Sequence, residues 1–80
     1  MKLPRDVSGR RLAKALEQFG YEVTRQTGSH IRLTTSRNGI HHITIPDHDA
    51  LRVGTLASIV ADVAMHLQIR RDELSDALFR

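Results

Sequence analysis

The chain has 80 residues and no cysteine or tryptophan, which bounds it to one small domain without disulfides or thiolate metal sites. No apolar run is long enough to cross a bilayer, and the polar start has no apolar segment behind it, so neither a membrane span nor a signal peptide is expected. The net charge of +3 is uneven: residues 1–40 carry eight Lys/Arg against three acids (+5), and residues 41–80 carry four against six (−2). The basic half is a candidate polyanion surface, and the composition fits a reducing cytoplasm.

Ser8 is placed to cap a first helix, with Val7 before it and Leu12 after it as a hydrophobic staple. Leu12, Leu16 and Phe19 recur at spacings of four and three beside Ala13 and Ala15, and Gly20 ends the stripe. Arg10, Arg11, Lys14 and Gln18 occupy the opposite face. Residues 21–26 alternate as a strand, with Tyr21, Val23 and Arg25 on one face and Glu22, Thr24 and Gln26 on the other. Thr27-Gly28-Ser29 reads as a turn. A second strand then sends Ile31 and Leu33 inward and His30, Arg32 and Thr34 outward. After the Asn38-Gly39 turn a third strand sends Ile43 and Ile45 inward and His42 and Thr44 outward, until Pro46 stops it.

Residues 47–52 read as a loop. A second helix runs from about Gly54-Thr55 to His66, with Leu56, Ile59, Val60, Val63 and Leu67 as its stripe. Asp72-Glu73 suit the first turn of a short third helix, over about 71–79, whose apolar side is Leu74, Ala77 and Leu78. The order helix, three-stranded antiparallel meander, helix, short helix is a two-layer α+β domain with its core in residues 8–66.

Opposed residues on antiparallel strands share a face, so the apolar residues set the register. Leu33 must pair with Ile43 and Ile31 with Ile45, which puts Arg32 opposite Thr44 and Thr34 opposite His42. The same rule on the first hairpin gives Val23–Leu33 and Gln26–His30. The open face then carries Thr24, Gln26, His30, Arg32, His42 and Thr44, with Glu22 as its one acid. Parity places Arg25 on the core side near the strand end, where its long stem can still reach out.

His30 is the main candidate for chemistry. A histidine titrates near neutral pH and can both take and give a proton. The turn before it offers backbone N–H groups and a hydroxyl at Gly28 and Ser29, and such turns bind anions. Arg32 shares its face, and arginine suits phosphate. A metal site among His41, His42, Asp47, His48 and Asp49 is not expected, because adjacent strand residues point to opposite faces. There is no phosphate-binding glycine loop and no paired-carboxylate site. With one tyrosine and two phenylalanines, an aromatic base-stacking platform is not expected either.

Several stretches together resemble a known family. They are Leu16 through Phe19-Gly20-Tyr21, Arg25-Gln26-x-Gly28-Ser29-His30, Ile45-Pro46-x-His48, and Val53-Gly54-Thr55-Leu56-x-Ser58-Ile59. In this order, over most of residues 8–65, the chain resembles the HicA (YcfA-like) toxins of bacterial HicA–HicB toxin–antitoxin systems. The resemblance implies a double-stranded-RNA-binding-like fold and a ribosome-independent cleavage of mRNA, and no cofactor is expected. It implies His30 as the catalytic histidine and a HicB-like antitoxin that binds and blocks the toxin. Two departures stand out. Ala57 sits where the family often has a basic residue, and the segment 62–80 is longer than in the shortest members.

The chemistry this implies is self-consistent. Cleavage needs the 2′-OH deprotonated, the 5′-oxygen protonated and the charge on phosphorus stabilised. His30 suits the proton steps, and Arg25, Arg32, Lys14 and the Gly28-Ser29 turn suit the phosphate. No second histidine is placed to pair with His30, so metal-independent cleavage by a single histidine is expected. The alternatives are a non-catalytic RNA-binding module of the same fold and a protein-interaction domain whose basic face meets an acidic partner.

Overall fold

Ser8 opens the first helix, α1 (Gly9–Leu16), by accepting the Arg11 backbone N–H at 3.0 Å. Val7 and Leu12 are both buried, as a staple requires. The helix tightens into a 3-10 turn over Glu17–Phe19 and stops at Gly20, whose φ of +87° favours glycine. Backbone bonds from Gly20 to Glu17 and from Tyr21 to Leu16 complete a Schellman ending. The computed structural model describes residues 3–80.

Three strands follow, β1 (Glu22–Thr27), β2 (His30–Thr35) and β3 (His41–Pro46), antiparallel in the order β1-β2-β3. Helices α2 (Val53–Leu67) and α3 (Arg71–Phe79) close the chain. This is the expected two-layer α+β order, α-β-β-β-α with an added C-terminal helix. The register of β2 on β3 is the one the apolar residues demand: Ile31–Ile45, Arg32–Thr44, Leu33–Ile43 and Thr34–His42. The inward residues of β2 and β3 share one core with Leu12 and Leu16 of α1 and with Leu56, Val60 and Val63 of α2.

Helix α3 extends that core. Leu74 and Leu78 are buried in it. Beside them the buried position falls to Ser75 and not to Ala77, which is exposed. The apolar side of α3 is therefore rotated from the one its spacing predicts.

The start of α1 is pressed against the end of the sheet. A Cβ on Gly9 would lie 2.0 Å from the Pro46 carbonyl oxygen, so only glycine fits there. Gly9 donates its N–H to the His48 carbonyl at 2.9 Å, and Leu51 donates to Val7 at 2.8 Å. These bonds bring α1, the end of β3 and the entry to α2 to one end of the molecule.

Helix α2 ends in the same way as α1, with Gln68 donating to Met65 and Ile69 to Ala64. Here the left-handed position is held by Gln68, at φ +59°. A side chain in that conformation costs about 1–2 kcal/mol relative to the right-handed region. Gln68→Gly should therefore raise unfolding stability by about 1 kcal/mol in denaturant titration. Gly9→Ala should lower it by about 1–3 kcal/mol through the forced shift of α1.

Candidate active site

His30 is the first residue of β2, and its position follows from the hairpin before it. That hairpin is closed by a two-residue loop, Gly28-Ser29, with Gly28 at φ +54° where tight hairpins favour glycine. The loop fixes Thr27 opposite His30, Gln26 opposite Ile31 and Arg25 opposite Arg32. Further along, Val23 still faces Leu33. The two stretches differ in register by one residue, and a β-bulge at Thr24 absorbs the difference.

The bulge corrects two expectations. His30 pairs with Thr27 and not with Gln26. Arg25 shares the outer face with Arg32, and Gln26 turns to the inner side, because parity reverses across the extra residue. The outer face thus brings His30, Arg32 and Arg25 together beside the Gly28-Ser29 turn. Two guanidinium groups sit on directly opposed residues, and like charges so placed repel. Neither has a carboxylate within ion-pair distance among the described residues.

The His30 imidazole is exposed and accepts or donates no hydrogen bond among the described residues. His42 is not its neighbour. It pairs with Thr34, four residues along β3 from Pro46, the partner of His30, or roughly 13 Å away. His42 Nδ1 lies 2.8 Å from the Thr34 hydroxyl, which in turn lies 2.9 Å from that of Thr24.

Lys14 is not part of this face. It lines a shallow groove of about 190 Å³ between α1 and the inner side of β1, with Arg10, Glu17 and Gln26. Arg10 of this groove is neutralised: its Nε donates to Asp47 Oδ1 at 3.1 Å and its Nη2 to Oδ2 at 3.1 Å. Gln26 donates to the same carboxylate at 3.1 Å. The Arg10 hydrogen bond holds the Asp47 carboxyl below the usual range, and Asp47 raises Arg10.

Residues 9–65 match the family described as HicA toxin of bacterial toxin-antitoxin. The chain belongs to this HicA toxin family. The match covers well over half of the chain and runs from the first residue of α1 to within two residues of the end of α2. Comparison with curated proteins and with solved structures gives no match. The protein is thus a toxin of a toxin–antitoxin system, in a family of RNase-type toxins, and membership implies a cognate antitoxin. No described helix is long and apolar enough to cross a membrane.

Two features of this HicA-family toxin are unforeseen. One is the Arg10–Asp47–Gln26 cluster. The other gathers histidines on the side away from His30. The Tyr21 hydroxyl lies 2.7 Å from His41 Nδ1, and His41 Nε2 lies 3.2 Å from Asp62 Oδ1. The His41 and His66 rings stack with centroids 4.3 Å apart and planes 13° from parallel. His66 Nε2 faces two acceptors, the carbonyls of Arg37 at 2.8 Å and Gly39 at 3.0 Å, so that nitrogen carries a proton and donates it. This cluster ties α2 to the β2–β3 loop. The signal for it lay in parity: Tyr21 and His41 both point inward, and a buried tyrosine hydroxyl needs a partner.

Three of the five residues that invite a metal reading are turned to other partners. His41 faces inward to Tyr21, His42 faces outward to Thr34, and Asp47 is held by Arg10 and Gln26. Among the described residues no three His, Cys, Asp or Glu come together as a metal-ligand group.

Burial, with a smaller push from Asp62, raises the Tyr21 phenol to about 12. An unfolded chain ionises its tyrosine near 10, so the contribution is complete below pH 10 and is lost as pH rises from 10 toward 12. Ultraviolet titration of the single tyrosine should show the raised midpoint. Over that interval wild type should lose thermal stability faster than Tyr21→Phe.

Proposed function

We propose that this toxin is an endoribonuclease that cleaves mRNA with His30 as its proton-transfer group. The observation that carries the reading is the placement of His30: exposed, its imidazole without a hydrogen bond among the described residues, after the Gly28-Ser29 turn and on one face with Arg32 and Arg25. In the reaction the 2′-oxygen of the RNA bonds to the adjacent phosphorus and the bond from phosphorus to the 5′-oxygen breaks. A cyclic 2′,3′-phosphate and a free 5′-hydroxyl result. His30 takes the 2′-OH proton, and the leaving 5′-oxygen receives one from the protonated imidazole or from water. Such proton transfer contributes about 10²–10⁴-fold.

Arg25 and Arg32 supply what the phosphate lacks. A polyanion lying between them relieves their mutual repulsion, and that relief grows as charge builds on the phosphorane oxygens. The backbone N–H groups of the Gly28-Ser29 turn add donors at the same end. Lys14, across the edge of β1, contacts a phosphate further along the strand. No metal or cofactor enters this scheme. The working compartment is the cytoplasm, where mRNA is found, and a HicB-like antitoxin neutralises the toxin by covering this face.

His30→Ala should fold, bind RNA and the antitoxin, and no longer arrest growth, with cleavage of an RNA oligonucleotide falling about 10²-fold or more. Wild-type cleavage should persist in EDTA. Full toxicity of His30→Ala would remove the histidine from catalysis. If Arg25→Gln and Arg32→Gln then abolished that toxicity, a non-catalytic RNA-binding module would be the better account.

A further inference from the structure

The two-residue loop before His30 stands at the tip of a hairpin, where pairing frays most easily. Here the tip is tied down from the opposite side. The Asp47 backbone N–H donates to the Ser29 carbonyl at 2.7 Å, the shortest backbone bond outside the regular helices and ladders among the described residues. That carbonyl belongs to the peptide unit joining Ser29 to His30. Its direction sets the plane from which the His30 Cα, and hence the imidazole, departs.

Asp47 is itself held by three elements. Arg10 of α1 grips both of its carboxylate oxygens, and Gln26 of β1 donates to Oδ2. On either side the chain is fixed by the pairing of Pro46 with His30 and by the Gly9 N–H on the His48 carbonyl. Gly9 also lies too close to the Pro46 carbonyl for any other residue. The Asp47 side chain is largely covered, at 19% exposure, whereas its partner Arg10 is 73% exposed. An exposed ion pair adds little to global stability. The cluster's effect is local, and it falls on the residue that bears the imidazole.

We propose that Asp47 is a positioning residue for His30: its carboxylate, clamped by Arg10 and Gln26, holds its own backbone N–H on the Ser29 carbonyl and so fixes the direction of the imidazole. This rests on the catalytic reading of His30 above, and it adds a residue outside the reacting face. Arg10 is accordingly committed to Asp47 and is not a phosphate contact.

The test uses the purified full chain and an RNA oligonucleotide. Asp47→Ala should lower kcat about 10- to 100-fold with KM within about twofold of wild type, since a shift of about 1 Å at a reacting group costs on that order. Asp47→Asn, which keeps an acceptor for Gln26, should recover a large part of kcat. Amide exchange at position 47 and at His30 should quicken in Asp47→Ala while amides of α2 stay protected. An unchanged kcat in Asp47→Ala would overturn the proposal. So would a loss shared equally by α2 protection, which marks general destabilisation. If His30→Ala cleaves as well as wild type, the catalytic reading fails. The exchange at position 47 and at His30 still decides whether the clamp holds the turn.

Discussion

Two demands on the first hairpin differ by one residue, and the rest of the site depends on how they are met. At the far end of the hairpin the buried Leu33 pairs with Val23, which itself stays half exposed. The tight Gly28-Ser29 loop sets Thr27 opposite His30. A regular ladder cannot satisfy both, because the pairs belong to different registers. The extra residue at Thr24 resolves the conflict within one strand. It leaves the core undisturbed and rotates the end of β1, so that Arg25 meets Arg32 and Gln26 meets Asp47.

The consequence is an electrostatic division between the two sides of β1. Below the strand Arg10 is matched by Asp47, and the pair is quenched where it forms. Above it Arg25 and Arg32 face each other without a carboxylate partner among the described residues. A fold gains nothing in stability from opposing like charges. Such an arrangement makes physical sense where an external anion completes it. His30 lies on that same face. Of the other histidines, His42 is engaged by Thr34, His41 by Tyr21 and Asp62, and His66 by two backbone carbonyls, while His48 lies exposed in the loop after β3.

The legible parts of this fold are those where one local rule acts alone. The β2–β3 register could be read because four β-branched or leucine side chains must share a face and the loop has odd length. The caps at Ser8 and Gly20 could be read because their chemistry is local. His30 and Arg32 fell on the outer face for the same reason. Parity failed at Arg25 and Gln26, since it assumes an unbroken ladder and nothing in the composition of β1 marks Thr24 as the bulge. Asp47 was hidden for another reason. Its partners, Arg10 and Gln26, lie 37 and 21 residues away in the chain. Only the docking of α1 on the end of β3 brings them together.

Strand β1 is also an edge, the position from which sheets recruit further strands and aggregate. The bulge interrupts its outward row of backbone donors and acceptors in the middle. A strand from a second molecule would find matched groups over only two or three residues before losing step. The opposite edge, β3, closes with Pro46, which has no N–H to offer. The same extra residue that aligns two arginines therefore makes the sheet a poor template for growth at its β1 edge.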